Sequence, residues 1–115
     1  MERSANRAMP MDRLETLKSI LAQNPSDALA RYGLAMEYVK TGAYELAVAE
    51  FRELTVRKPD HAYACFHAGQ TLEKLGRKDE AHAMYAQGIE AAARKGDTHA
   101  RDELQAALDQ LSGSS

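Results

Sequence analysis

Two stretches of the sequence, GAYELAVAEFRELTVRKP (42–59) and GRKDEAHAMYAQGIEAAA (76–93), begin thirty-four residues apart and share one spacing of small and large residues. In both, an alanine follows the first glycine after five residues, and an aromatic ring follows the alanine after four. Pro25 and Pro59 keep the same thirty-four-residue separation. A fixed period of this length is typical of a stacked array of supersecondary units. The chain is therefore predicted to be a repeat protein.

The composition predicts helices as the repeating elements. Ala, Leu, Glu, Lys, Arg and Gln are good helix formers, and no sustained alternation of β-branched residues indicates a strand. Prolines and glycines indicate where the helices end, because the residue before a proline avoids the helical region and glycine suits the tight turn after a helix. We predict an all-α fold of about six helices, at 12–24, 27–41, 44–57, 60–75, 79–94 and 98–111.

The alanine and the ring of each stretch lie on one helix face. Ala47 and Phe51, like Ala81 and Tyr85, are four residues apart, which is about one helical turn. The methyl group lets a partner helix approach, and the ring fills the space beside it. We expect Ala47→Leu to overpack the helix pair and to cost about 1–3 kcal/mol.

Charge and cysteine content exclude several classes of function. The chain contains fifteen Lys and Arg and seventeen Asp and Glu, which gives a formal charge of -2. No basic stripe therefore favours nucleic acid as a partner. No stretch approaches the roughly eighteen apolar residues of a membrane span, and the amino terminus lacks a secretory apolar core. The single cysteine, Cys65, forms no internal disulfide. These features predict a cytoplasmic protein without membrane contact.

The repeated positions resemble the tetratricopeptide repeat (TPR), whose pattern is W-x2-L-G-x2-Y, A-x3-F and P. The first copy holds Arg31, Leu34, Ala35, Tyr38, Ala47, Phe51 and Pro59. The second copy holds Cys65, Ala68, Gly69, Leu72, Ala81, Tyr85 and, in place of proline, Ala93. This chain departs from the family pattern at two places. The tryptophan position holds Arg31 in the first copy and Cys65 in the second, and the second copy ends without the proline.

The resemblance implies a right-handed superhelical stack of antiparallel helix pairs. Residues 11–111 would then form a single TPR domain, between a flexible segment at 1–10 and a tail at 112–115. The domain would comprise a half-repeat helix (11–24), two repeats (25–59 and 60–97) and a capping helix (98–111). About three helix pairs are needed to bury a continuous core.

Helical rotation separates two apolar stripes on the helix at 27–40. Leu34, Ala35 and Tyr38 match the packing positions of the family, and the resemblance then places the other stripe on the hollow, peptide-binding side of the superhelix. The predicted peptide-binding residues are Leu29, Tyr32, Met36, Val39, Tyr63, Phe66, Gln70 and Glu73. His99, Asp102, Ala106 and Asp109 would continue the stripe along the last helix.

This stripe predicts a non-catalytic scaffold or adaptor that binds a protein or peptide ligand. Its apolar and aromatic start and its acidic end suit an extended or helical segment with apolar anchors and a basic residue. The alternatives are homo-oligomerisation through the same stripe, or coverage of the stripe by neighbouring helices or by residues 1–10. The chaperone-tail clamp of the family needs Lys or Asn where this chain has Tyr32, Met36 and His67.

No motif for catalysis, metal binding or cofactor binding was found. His61, His67, His82 and His99 do not pair with one another at the four-residue spacing that points two ligands the same way, and His61 with Cys65 is a single pair at that spacing. We expect structural or solvent-facing histidines, and Cys65 as a small buried apolar side chain. Phosphate-binding glycine loops, nucleophile elbows and CxxC pairs are missing from the sequence. The prediction is a protein that is not an enzyme, without metal or cofactor.

Overall fold

The computed structural model describes residues 12–113, and the predicted flexible segment at 1–10 lies outside that range. Six α-helices and no strand form the described part of the chain, which confirms the predicted all-α fold. They are α1 (Arg13–Gln23), α2 (Ala28–Lys40), α3 (Tyr44–Arg57), α4 (Ala62–Lys74), α5 (Lys78–Lys95) and α6 (Thr98–Gly113). The last helix continues two residues beyond the predicted end at Leu111.

From α2 onwards, helix starts alternate between two types along the chain; α1, like α2, is capped by an aspartate, Asp12. The side chains of Asp27, His61 and Asp97 each accept a hydrogen bond from the backbone N–H three residues later, at 2.9, 3.2 and 3.0 Å, and so cap α2, α4 and α6. By contrast, α3 and α5 follow turns at Gly42 and Gly76, whose φ angles of 83° and 74° suit glycine. The alternation marks two-helix units that begin at α2, α4 and α6.

Each helix packs against the next one in the chain, and α4 also contacts α6. We call the surface formed by α2, α4 and α6 the inner face, and the surface formed by α1, α3 and α5 the outer face. On the outer face, Arg52 pairs with Glu80 at 2.6 Å and Arg77 pairs with Glu45 at 2.9 Å, which links α3 to α5. The fold is the predicted superhelical stack of antiparallel helix pairs.

The repeated small and large residues form the centre of the core. Ala47, Phe51, Ala81 and Tyr85 are all 0% exposed, as the four-residue spacing predicted. Leu34, Ala35 and Tyr38 are also buried, in agreement with their predicted packing role. Each ring therefore fills the space between successive helices beside an alanine that lets them approach.

The last helix is fully buried only along part of its apolar side. Leu104 is 0% exposed and Leu111 is 7% exposed, whereas Ala107 and Leu108 are half-buried. Two of these four apolar side chains are therefore fully buried. As the last helix described, α6 has α5 and part of α4 to cover it, and no further helix among residues 12–113 packs on its other side.

Arg31 and Cys65 occupy the tryptophan position of the repeat in two different ways. The Arg31 guanidinium donates to a Glu50 carboxylate oxygen at 2.7 Å and to the Pro25 carbonyl at 2.9 Å, so it ties α2 to α3 and to the preceding turn. Cys65 is 0% exposed, and burial raises the pKa of its thiol to about 11. Cys65 is thus the small buried side chain that was expected.

Candidate functional site

The eight predicted peptide-binding residues all lie on α2 and α4, the first two helices of the inner face. Leu29 is 81% exposed, and Gln70 and Glu73 are also exposed. The others are half-buried: Tyr32, Met36, Val39, Tyr63 and Phe66. None of the eight is fully buried, so packing of the described residues leaves part of every one of these side chains accessible.

Aromatic rings connect α2 to α4 on this face. The ring centroids of Tyr32 and His67 are 5.8 Å apart, those of His67 and Phe66 are 5.3 Å apart, and those of Phe66 and Tyr63 are 6.4 Å apart. All three pairs meet edge to face, the arrangement that aromatic quadrupoles favour. We call Tyr32, His67, Phe66 and Tyr63 the aromatic ridge.

Sequence reasoning missed the part that histidine takes in this surface. His67 stacks on the buried ring of Phe51, with centroids 6.2 Å apart, and His61 stacks on Tyr32 at 5.3 Å. A usable signal was present, because His67 follows Tyr63 by one helical turn and therefore shares its face. The two histidines act as flat rings in the ridge and beside it.

Burial controls the protonation of the ridge. Burial lowers the pKa of His67, although Gln70 and Glu103 act in the opposite direction. Burial also lowers the pKa of His61, which lies beside the ridge, and the charges of Lys95 and Lys58 lower it further. Burial, followed by a hydrogen bond with Glu103, raises the pKa of the Tyr63 phenol. At neutral pH the ridge therefore presents uncharged rings.

Two grooves flank the aromatic ridge. Of the eight predicted residues, Leu29, Tyr32 and Met36 line the first groove, Gln70 and Glu73 line the second, and Val39, Tyr63 and Phe66 line neither. The amino-terminal groove, about 410 Å³ in volume, is lined by Arg13, Leu17 and Ile20 of α1, by Asp27, and by Leu29, Ala30, Tyr32, Gly33 and Met36 of α2. The carboxyl-terminal groove, about 550 Å³ in volume, is lined by Gln70, Glu73, Lys74, Tyr85, Ala107 and Gln110. The first is mainly apolar and the second mainly polar.

The carboxyl-terminal groove is shaped by a buried tyrosine. Tyr85 donates a hydrogen bond to the Glu73 carboxylate, and burial together with this contact raises the pKa of its phenol above the ordinary value. Further along α6, the predicted continuation at His99, Asp102, Ala106 and Asp109 is exposed. The polar groups of the inner face therefore concentrate towards the carboxyl end.

Within residues 12–113, no three His, Cys, Asp or Glu side chains lie close enough to hold a metal ion. In the same range, no helix is both long and apolar enough to cross a membrane.

The capped inner helices, glycine turns and buried alanine–ring pairs define a helical repeat protein. The sequence model described as "Tetratricopeptide repeat" matches residues 14–62 and 32–96. Together the two matches cover most of the chain, so the protein belongs to the tetratricopeptide repeat family, as the resemblance predicted.

Similar proteins come from several bacteria. A TPR repeat-containing protein of Pseudomonas aeruginosa is 28% identical over 98 residues, which cover 85% of this chain and 93% of the relative. The solution structure of a tetratricopeptide repeat domain protein from Salinibacter ruber is 38% identical, with a TM-score of 0.76, over 80% of this chain and 93% of that chain.

A second similar structure is that of a more distant protein with the same fold. It is PcrH in complex with the chaperone binding region of PopD, at 19% identity and a TM-score of 0.81, covering 86% of this chain and 75% of that chain.

Proposed function

We propose that this protein is a non-catalytic interaction module that binds a peptide or helical segment of a protein partner on its inner face. The contacts come from the predicted residues Leu29, Tyr32, Met36, Val39, Tyr63, Phe66, Gln70 and Glu73, together with His67. Membership of the tetratricopeptide repeat family and the helical repeat fold support protein binding as the general role.

The observation that carries the proposal is the aromatic ridge. Its rings touch one another in sequence from α2 to α4, yet Tyr32, Tyr63, Phe66 and His67 all remain partly accessible. Large aromatic side chains are enriched in the cores of protein interfaces because they bury much apolar area at low entropic cost. The ridge is thus suited to receive the apolar anchors of a ligand.

The change from apolar to polar residues along the inner face supports one orientation of the bound ligand. Leu29 and Met36 line the apolar groove at one end, whereas Gln70 and Glu73 line the polar groove at the other. A segment with apolar anchors at one end and a basic residue near the other would complement both grooves. The PcrH complex shows that this fold can hold the binding region of another protein.

Site-specific photo-crosslinking in the native host tests the proposal. A benzophenone amino acid at Gln70, which is exposed on the inner face, is compared with the same group at Val56, which is 74% exposed on α3. We expect a crosslinked partner protein from position 70 only, and its loss when Tyr63→Ala and Phe66→Ala are added. Equal products from both positions, or products that survive these two substitutions, would contradict the inner-face assignment.

The same experiment addresses self-association, the alternative interpretation of the stripe. A crosslink from position 70 to a second copy of the chain, with a concentration-dependent mass in sedimentation equilibrium, would identify a homo-oligomer. A cytoplasmic location stays a prediction, supported by the lone cysteine, and fractionation of the native host tests it. Absence of nucleic acid, membrane and cofactor from the function is likewise part of this proposal.

A further inference from the structure

We infer that residues 1–11 of the chain occupy the amino-terminal groove and shield it from a partner protein until the partner displaces them. The inference rests on the proposed function, because Leu29, Tyr32 and Met36 belong both to the inner face and to this groove. It adds regulation of that face by the segment of the same chain that precedes α1.

The repeat identifies the place that the segment takes. Asp27 and His61 cap their helices with the same type of hydrogen bond and lie thirty-four residues apart, so α2 and α4 occupy equivalent positions, as do α1 and α3. The contact between α3 and α4 is covered by α2, the element that precedes α3 in the chain. The Tyr32 ring of α2 lies 6.2 Å from Phe51 and 5.3 Å from His61. The equivalent place over α1 and α2 therefore belongs to the residues that precede α1.

Exposure shows that residues 12–113 leave this place uncovered. Ile20 of α1 is 38% exposed, whereas its counterpart Leu54 of α3 is 1% exposed. Leu29 of α2 is 81% exposed, whereas its counterpart Tyr63 of α4 is half-buried. Of the four large apolar side chains that are exposed in residues 12–113, these two line the same groove. The groove thus offers apolar surface where the next repeat buries it.

The segment is joined to the rim of this groove. Helix α1 begins at Arg13, which is itself one of the lining residues. Eleven extended residues span at most about 36–40 Å, whereas α1 rises only about 10 Å from Arg13 to Ile20. The segment is therefore long enough to cross the groove from α1 to α2. A short tether also gives a local concentration of about 1 mM, which favours the segment over a separate molecule that binds from solution.

The segment carries apolar side chains that suit such a surface. Three of the five methionines of the chain, Met1, Met9 and Met11, lie in it. Methionine is unbranched and flexible, so it adapts to irregular apolar grooves. The thirty-four-residue offset from α3 would start α1 at Pro10, whereas α1 starts at Arg13. Met9 and Met11 thus precede the helix and are the anchors nearest to the groove.

Occupancy of the groove changes how a partner reaches the inner face. Tyr63 and Phe66 of the aromatic ridge line neither wall of this groove and stay available. A ligand that contacts Leu29 or Met36 must first displace residues 1–11. Its apparent affinity is therefore reduced by the fraction of chains in which the groove is covered.

A spin label on the segment tests its position in the full chain. Ala5→Cys is labelled selectively, because Cys65 is 0% exposed and burial raises the pKa of its thiol to about 11. We expect loss of amide NMR signals at residues 29–36 of α2. Combined Met9→Glu and Met11→Glu should restore these signals, because charged side chains do not enter an apolar groove without a partner.

Two control variants make the test specific. Combined Ser4→Glu and Asn6→Glu adds the same two negative charges at polar positions of the same tether, and the signal loss should persist. Leu29→Glu changes the groove and leaves the segment intact, so it should restore the signals. Val56→Glu, at a residue that is 74% exposed on α3, should not restore them. Circular dichroism confirms that each variant folds.

Several results would overturn the inference. They are signal loss spread equally over α2 and α3, or signal loss that survives both the methionine substitutions and Leu29→Glu. A mixture of isotope-labelled chain without spin label and spin-labelled chain without isotope detects contact between copies. Signal loss in that mixture would assign the groove to a second copy.

The photo-crosslink from position 70 separates this inference from the proposed function. We expect more crosslinked partner with Met9→Glu and Met11→Glu than with Ser4→Glu and Asn6→Glu, and equal amounts would contradict the shielding. A spin-label contact without any crosslinked partner would contradict the proposed function and support the position of residues 1–11. A crosslinked partner without a spin-label contact would contradict this inference alone.

Discussion

The two ends of the stack use the same repeat with opposite results. At the carboxyl end the helices approach closely: a Cβ at Gly69 would lie 2.3 Å from the Tyr85 ring, and one at Gly88 would lie 2.8 Å from both Cys65 and Leu104. At the amino end, a Cβ at Gly33 would meet its neighbours at 3.3 Å. Glycine thus allows a closer helix contact at the carboxyl end than at the amino end.

This difference indicates which substitutions separate stability from binding. Residues around α4, α5 and α6 are packed against several helices at once, so changes there affect the free energy of unfolding. In the amino-terminal groove, Leu29 and Ile20 are 81% and 38% exposed within residues 12–113, so changes there should cost little stability and should test the proposed binding instead. Four substitution experiments make the comparison quantitative.

The largest effect is expected from Leu104→Ala. Leu104 is 0% exposed and is in contact with the Gly88 position, so the substitution leaves a cavity that the closely packed helices cannot fill. The expected loss is about 2–5 kcal/mol in the free energy of unfolding, measured by urea denaturation. Leu29→Ala is the matched control at the open end, where 81% exposure predicts a change within about 0.5 kcal/mol. Equal midpoints for the two variants would show that α6 is not docked.

A pair of glycine substitutions compares the two ends directly. Gly69→Ala forces a methyl group into the Tyr85 ring and should cost about 1–3 kcal/mol by overpacking. Gly33→Ala meets only the side chains of Arg13 and Leu17, and alanine gains about 1 kcal/mol of helix propensity, so the net change should be near zero or stabilising. Thermal unfolding of both proteins measures the difference. A Gly33→Ala protein that is destabilised as much as Gly69→Ala would remove the distinction between the ends.

The periodic residues alone were sufficient to predict the helices. Proline, glycine and the alanine–ring pairs each act through local backbone geometry or through contacts one turn apart, which is why the predicted helix ends fall within a few residues of those observed. The buried positions Ala47, Phe51 and Tyr85 follow from the same rule.

The site was only partly predictable, because its shape depends on contacts between residues distant in sequence. The sequence pattern places the stripe from Leu29 to Glu73 on α2 and α4. Which of its residues line a groove depends on which helices meet there, and the pattern does not show this. Periodicity also gives no information on how the Arg31 side chain is directed. That side chain crosses to Glu50, nineteen residues away, so a position expected to hold tryptophan instead forms an ion pair.

A double-mutant cycle on Arg31 and Glu50 sharpens the comparison of the two tryptophan positions. Their charged side chains are 12% and 24% exposed, and the guanidinium also holds the Pro25 carbonyl. We expect Arg31→Met and Glu50→Gln to show a coupling of about 1 kcal/mol in chemical denaturation. Arg77 and Glu45, at 35% and 72% exposure, are the control pair and should couple by a few tenths at most. Equal couplings would mean that Arg31 contributes no more than a surface charge.

The smallest effect concerns pH, because the two imidazoles involved are only half-buried. Burial lowers the pKa of His61 and His67 below 6.5, so the folded state binds fewer protons than the unfolded state between the lowered values and about 6.5. Stability should therefore be highest above pH 6.5 and fall as the pH decreases through that value, by at most about 1.4 kcal/mol per pH unit for each histidine. Protonation of His61 at Nδ1 also removes the acceptor for the Ala64 N–H.

Exchange of the cap makes this last prediction specific. His61→Asp gives α4 the same capping residue as α2 and α6, so stability measured by urea denaturation between pH 7.5 and 5.5 should depend less on pH than in the wild type. His82→Asn serves as the control, because His82 is exposed and its loss should leave the pH dependence unchanged. If His61→Asp and the wild type show the same dependence, the imidazole cap does not distinguish the α4 start from the aspartate caps of α2 and α6.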